Sequence, residues 1–321
     1  MRAIQISRTG GPDVLELVDI PEPKPGPGQI LVKHEAIGVN FIDTYLRTGL
    51  YPMRLPGVLG SEAAGVVAGL GEGVTRFKLG DRVAHNSGGG YAEAGVVAAA
   101  RAVALPDSVS FEVAAAALLK GMTAEALIRR CFPLQAGQTC LIHAAAGGVG
   151  AILVQWAKAI GATVIGTVGS EEKARFVREL GADHVILYRH EDVPAKVKEI
   201  TGGVGVPVAY DSVGKDTFEM TVGSLARRGM FVSFGNASGP VPAFEPLRLS
   251  RAGSLFLTRP TLGDYVAGPG ELDASAGALF ETIGSGKVRI EIGQRFKLAD
   301  ACKAHEALEG RDTIAATVLL P

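Results

Sequence analysis

The sequence predicts an α/β fold: a doubly wound parallel sheet, the Rossmann arrangement, preceded by a β-rich domain. Three observations carry this. From residue 139 on, apolar strand-type runs alternate with helical segments, as strands joined by crossover helices do. The first of those runs ends in a turn with small residues at Ala145, Gly147 and Gly150, followed at once by a helical pattern. Residues 1–105 hold short β-type runs punctuated by Gly and Pro.

Taken in order, β-type runs are expected at 3–7, 14–20, 29–37, 63–70, 82–85 and 91–97. The Pro-rich stretch 21–28 is a stiff surface connection, because strand-type runs flank it closely. Residues 110–130 look helical. Six strands follow at 140–143, 163–168, 184–187, 206–211, 230–234 and 254–257, with helices at 171–180, 193–200 and 216–225 between the earlier ones. Helix-type segments at 274–283 and 299–308 and a β-type run at 313–320 do not extend the alternation, so they are expected to return to the first domain. The domains are accordingly 1–120 with 260–321, and 121–259.

Composition narrows the function. The chain of 321 residues is 47% hydrophobic with a net charge of −1. No basic excess exists to grip nucleic acid or anionic lipid. The cysteines, Cys131, Cys140 and Cys302, lack the spacing of a disulfide framework or a zinc knuckle, which suits a reducing cytoplasm. No signal-peptide pattern opens the sequence. Residues 131–157 carry no charge, yet Pro133, Gly137, His143 and a glycine cluster interrupt them, so a buried strand, turn and helix explain them better than a membrane span.

The small-residue turn implies a phosphate cradle. A backbone without side chains lets a pyrophosphate approach, and the free N–H groups of the helix start hold it. Ala145 replaces the usual first Gly and requires a negative φ there. An NAD site places an acid after the second strand, about 20 residues beyond the turn. This chain has Gly169 and Ser170 there, with Lys173 one turn further on. Small residues leave room for a 2′-phosphate, Ser170 can hydrogen-bond it, and Lys173 can neutralise it. NADPH is therefore the expected cofactor. The ends of the fourth and fifth strands, with Ser212, Phe234, Gly235 and Asn236, are further candidates to touch it, since ligands bind outside the carboxyl ends of such strands.

Metal chemistry lacks ligands. Residues 1–105 contain no cysteine, and His34 and His85 are isolated. Reduction must then proceed by direct hydride transfer, with the protein supplying orientation.

Several ordered motifs carry a resemblance across the whole chain: GVNFIDTY at 38–45, RTGLY at 47–51, GSEAAG at 60–65, GDRV at 80–83, KGMT at 120–123, HAAAGGVG at 143–150, YDSVG at 210–214 and VSFGN at 232–236. The chain resembles the zinc-free branch of the medium-chain dehydrogenases/reductases, within it the NADPH:quinone oxidoreductases related to ζ-crystallin. Zinc alcohol dehydrogenases of that superfamily place Cys, His and Cys where Asn40, Ser61 and Lys120 look equivalent. The resemblance implies a GroES-like catalytic domain and an NADPH cleft. Asn40, Phe41, Asp43 and Tyr45 would line its nicotinamide end, with Lys120 and Thr123 nearby. Gly147, Gly148 and Val149 would meet the pyrophosphate, and Gly169, Ser170, Lys173, Tyr188 and Arg311 the phosphorylated ribose. Phe256 and Leu257 on the last strand complete the expected cofactor set. Tyr45 and Asn40 would hydrogen-bond the acceptor oxygen, Tyr45 by positioning or as a proton donor.

The activity so implied is NADPH-dependent reduction of a quinone. Two alternatives stand beside it: reduction of α,β-unsaturated carbonyls or enoyl thioesters, and a crystallin-like or RNA-binding protein with little turnover. A homodimer through the edge of the sixth strand is expected.

Overall fold

A computed structural model describes all of residues 1–321. The chain divides into two units. Unit 1 comprises Met1–Gly121, Leu272–Gly284 and Ile290–Pro321, and unit 2 comprises Met122–Glu271 and Ser285–Arg289.

Unit 1 begins with β1 (Arg2–Ile6), β2 (Glu16–Asp19) and β3 (Gln29–Val39), followed by helix α1 (Phe41–Thr48). Then come β4 (Gly57–Val58), β5 (Glu62–Leu70), β6 (Arg82–His85), β7 (Ala94–Ala98), β8 (Ala102–Ala104) and α2 (Phe111–Glu125). The expected strand at 14–20 starts late because Pro12 opens a short 3-10 turn over Pro12–Val14. Helix α1 was not expected from the apolar pattern; its caps define it. Asn40 is the N-cap, Asp43 reaches back to it, and Gly49 closes the helix with a left-handed φ of 82°.

Unit 2 is a six-stranded parallel sheet. Its strands are β9 (Thr139–Ile142), β10 (Thr163–Val168), β11 (His184–Leu187), β12 (Val206–Asp211), β13 (Leu225–Ser233) and β14 (Phe256–Thr258). Their spatial order is β11-β10-β9-β12-β13-β14. The order reverses between β9 and β12, which makes that point the switch where open α/β sheets bind ligands. Helices α3 (Gly148–Ile160), α4 (Glu171–Glu179), α5 (Val193–Ile200) and α6 (Phe218–Ser224) link the earlier strands. Leu141, Ile165, Ile186, Ala209 and Phe231 form the core of this sheet with Val197 and Val222 of the helices.

Unit 2 continues past the expected boundary at 260. Arg130 donates to the Tyr265 carbonyl at 2.6 Å and stacks over the Tyr265 ring. Gln155 brackets the Arg289 backbone, donating to its carbonyl at 3.0 Å and accepting its N–H at 2.9 Å. These polar contacts hold both segments to unit 2.

The chain then closes unit 1. Strand β15 (Ile292–Lys297) pairs in parallel with β16 (Ala316–Leu320), and β16 pairs antiparallel with the end of β3. A seven-stranded sheet results, in the order β15-β16-β3-β5-β6-β8 with β7 on β3. Ile37 and Val39 of β3 pack with Ile4, Leu59, Leu298 and Leu319 in its core.

Candidate functional site

The turn after β9 has the geometry of a phosphate cradle. Ala144 takes the left-handed conformation, with φ 49°, and Ala145 does not. The strain sits one residue before the position where a first Gly usually stands, which is why Ala145 is tolerated. A methyl at Gly150 would come within 2.3 Å of the Ala144 carbonyl oxygen, so only Gly lets α3 approach the strand end. Gly147 is the N-cap, and the first intrahelical bond is Ala151 N to Gly147 O at 2.8 Å. The N–H groups of Gly148, Val149 and Gly150 precede that bond and face outward from the helix start. A buried network ties this turn to its neighbours. His143 bonds Thr167 at 2.9 Å and Thr221 at 3.1 Å, and Thr221 donates to Asp211 at 2.9 Å.

At the end of β10 the structure brings Gly169, Ser170, Tyr188 and Arg189 together. A methyl at Gly169 would stand 2.9 Å from the Tyr188 hydroxyl and 3.3 Å from Arg189 Nε. Ser170 is the N-cap of α4 and accepts from Lys173 N at 3.4 Å. Sequence reasoning missed Arg189. Its signal was a basic residue just past the third strand, opposite the missing acid. The loops after β12 and β13 also meet, since a methyl at Gly235 would lie 2.3 Å from the Ser212 carbonyl oxygen. Asn236 follows in the same loop. Phe256 and Leu257 are the first two residues of β14, paired beside Met230 and Phe231, before the carboxyl end of the strand at Thr258. Thr123 is half-buried on α2 in unit 2. Arg311 belongs to unit 1 and is exposed, with φ 60°.

Unit 1 builds a second polar cluster around α1. Glu62, fully buried at the start of β5, accepts three donors: Leu119 N at 2.6 Å, Asn40 Nδ2 at 3.0 Å and Lys120 Nζ at 3.1 Å. Glu62 thus fixes the two side chains that the sequence singled out. Sequence reasoning missed it because its role depends on partners far along the chain. Tyr45 is buried in an aromatic group, with its ring edge-on to Tyr51 at 5.2 Å and tilted to Phe41 at 6.3 Å.

Asp43, in the first turn of α1, is fully buried. Its Oδ2 accepts from Asn40 N at 2.9 Å and Tyr91 Oη at 3.0 Å, and its Oδ1 from Ser61 Oγ at 2.6 Å. Its influence on a ligand therefore runs through Asn40 and Ser61. The chain of bonds continues from Tyr91 to His305 Nε2 at 3.0 Å and from His305 Nδ1 to Arg47 at 3.0 Å. Arginine only donates, so Nδ1 accepts and the imidazole proton is on Nε2. Nε2 then donates to Tyr91, whose own proton goes to Asp43. Burial pushes the Asp43 carboxyl up to about 6, against the pull of the Ser61, Asn40 and Tyr91 donors. Burial and the Arg47 charge push His305 down to about 3.

No group of three or more His, Cys, Asp or Glu side chains in the structure could hold a metal ion. At the positions in question stand an amide, a hydroxyl and an ammonium already paired with Glu62. This donor set does not fit zinc. The nucleotide unit fits NADPH: its helix start can take the pyrophosphate, and at the end of β10 Gly169 and Ser170 stand where an NAD site carries an acid, with Arg189 against Gly169 and with Glu171, Glu172 and Lys173 in the helix turn that follows.

A parallel sheet of this order in one unit and a sheet built by both ends of the chain in the other define the medium-chain class of dinucleotide-dependent dehydrogenases. Residues 26–107 match the family model for the alcohol dehydrogenase GroES-like domain, and residues 148–269 that for zinc-binding dehydrogenases. The quinone oxidoreductase of Pseudomonas aeruginosa is 53% identical, with 100% of this chain and 99% of that protein covered. A 2-haloacrylate reductase from a Burkholderia species is 42% identical, covering 99% of this chain and 98% of that protein. The crystal structure of Escherichia coli quinone oxidoreductase complexed with NADPH superposes with a TM-score of 0.98 at 45% identity, with 100% of both chains covered. The chain belongs to the quinone oxidoreductase family, in the zinc-free branch of the medium-chain dehydrogenases/reductases.

Proposed function

We infer that the protein is an NADPH-dependent quinone oxidoreductase that works without a metal. The observation that carries this is the nucleotide end of unit 2. A glycine helix start sits beside a strand end that has lost its acid and gained Ser170, Lys173 and Arg189. When bound, NADPH supplies the hydride. Gly147, Gly148 and Val149 hold its pyrophosphate, and Ser170, Lys173, Tyr188 and Arg189 its phosphorylated ribose. Ser212, Phe234, Gly235 and Asn236 border the nucleotide from the switch-point side. In unit 1, Asn40 and Lys120, fixed by Glu62, face the acceptor, and the Phe41, Tyr45 and Tyr51 rings give it an apolar wall that excludes water. Thr123 and Arg311 are assigned to the cofactor as well. The assay is NADPH consumption with a panel of quinones in metal-free buffer. Activity that vanishes with chelator and returns with zinc would refute the inference.

A second reading has its own support. The 42% identical relative is a 2-haloacrylate reductase, so a conjugated C=C bond is a candidate acceptor here too. Specificity constants for a quinone and an acrylate separate the two.

We assign a homodimer to the protein, formed through β14. That strand is an unpaired sheet edge, and Phe256 on it is 57% exposed. No helix is long and apolar enough to cross a membrane. The three cysteines are free thiols, and we place the protein in a reducing cytoplasm.

A further inference from the structure

Reduction of a quinone to a quinol takes a hydride and a proton, and beside Tyr45, named above as a candidate donor, the structure offers a second source of that proton. Asp43 has one oxygen, Oδ1, whose hydrogen-bond partner is the Ser61 hydroxyl. Its Oδ2 accepts from both Asn40 N and Tyr91 Oη, and the Tyr91 proton is committed by His305 and Arg47 behind it. A proton on this carboxyl therefore sits on Oδ1, aimed at Ser61 Oγ 2.6 Å away. Asp43 is fully buried, while Ser61 is half-buried and precedes Glu62, the residue that holds Asn40 and Lys120. We propose that Ser61 is a catalytic residue that hands a proton to the oxygen of the reduced acceptor and is reloaded by Asp43.

The pair has two states. With Asp43 ionised, the Ser61 hydroxyl points inward to Oδ1. With Asp43 protonated, the Oδ1 proton donates to Ser61 Oγ and turns the serine hydrogen outward. The acceptor oxygen takes the serine proton, serine takes the Oδ1 proton, and Asp43 is left as carboxylate until solvent restores it. Each turnover then consumes one hydride from NADPH and one proton from water, giving quinol and NADP⁺. Charged and titratable neighbours of the pair are Tyr91, His305 and Arg47 on one side and Glu62 and Lys120 on the other. With the Asp43 carboxyl half-protonated at about 6, the loaded fraction falls about tenfold per pH unit above that value.

The proposal rests on the quinone reading, and wild-type turnover tests that reading separately. If no quinone is reduced, the same variants are run on 2-haloacrylate, whose reduction also takes one hydride and one proton, the proton ending on the carbon that bears the carboxylate, so there Ser61 would protonate carbon. Ser61→Ala, Ser61→Thr and Asp43→Asn are compared. Asp43→Asn keeps an oxygen for Asn40 and Tyr91 but sets a non-titrating NH₂ against Ser61. Expected for Ser61→Ala is a kcat lower by about 10²-fold, unchanged NADPH binding by fluorescence titration, and loss of both the pH limb near 6 and the solvent isotope effect. Ser61→Thr keeps the limb, and Asp43→Asn flattens it. In cofactor-free protein, carbon-13 NMR should find one aspartate carboxyl titrating near 6 that Asp43→Asn removes. The proposal is overturned by a Ser61→Ala enzyme with the wild-type pH profile, by Ser61→Thr failing as badly as Ser61→Ala, or by the absence of that carboxyl signal.

Discussion

Glu62→Gln should be among the most damaging single substitutions in unit 1, and the damage should be reversible by a second one. Glu62 is fully buried and the Lys120 side chain is 7% exposed, at an Nζ to Oε2 distance of 3.1 Å. Glutamine offers one oxygen and one NH₂ where the carboxylate met three donors, so at least one donor loses its acceptor. It also leaves the ammonium buried without a counter-charge. Removing one partner of such a pair costs about 3–5 kcal/mol. Lys120→Met strands the carboxylate and should cost about as much. In the double variant neither charge of the pair remains, and the residual loss is the weakened hydrogen bonding at Leu119 and Asn40, about 1 kcal/mol each. The double variant should therefore be about 2 kcal/mol less stable than wild type, against about 6–10 kcal/mol if the single effects added. Urea denaturation of the full chain, with far-ultraviolet circular dichroism and constant m-value as the check, measures the cycle. Additivity within about 0.5 kcal/mol would refute the buried pair. In activity, freeing Asn40 should lower kcat in Glu62→Gln while NADPH affinity holds.

Other expectations concern separate parts of the molecule. Arg189→Ala should weaken NADPH binding about tenfold or more and leave NADH binding unchanged, because a charge-assisted bond to the 2′-phosphate is lost; equal loss for both nucleotides would remove Arg189 from the site. Stability should fall from pH 7 to pH 5. His34 and His305 are held neutral by burial, at about 4 and about 3, while the unfolded chain takes up their protons near 6.5. Each therefore costs about 2 kcal/mol at pH 5, whereas Asp43, raised to about 6, gives back about 1 kcal/mol; a melting temperature unchanged between the two pH values would contradict this. Phe256→Asp should convert the proposed β14 dimer to monomer in analytical ultracentrifugation, and a monomeric wild type would show that β14 is not an interface.

The parallel sheet was legible because its strands are buried on both faces and stand out as continuous apolar runs, such as 163–168 and 206–211. Strand β15 escaped notice because it alternates half-buried and exposed residues, with Gln294, Arg295 and Lys297 interrupting the apolar signal. Helix α1 was hidden for another reason. Phe41 and Ile42 extend the β-type pattern of the strand before it, and only Asn40, Asp43 and Gly49 mark its ends. The tight turn between β9 and α3 was readable since its constraints lie within the eight residues 143–150. The chain from Ser61 through Asp43 and Tyr91 to His305 was not, because it joins residues that only the folded sheet brings together.

The placement of β16 has a consequence for how the protein is made. It lies between β15 and β3 and pairs with Ile37, Gly38 and Val39 of a strand translated near the start of the chain. On the ribosome, the parallel sheet of β9–β14 is complete while the end of β3, next to Asn40, still shows a bare row of backbone groups. That row stays open to stray pairing until Ala316–Leu320 emerge. A nascent chain stalled before residue 316 should therefore hold a finished nucleotide unit and an unfinished partner, and chaperones that shield strand edges would act on the N-terminal third of the chain.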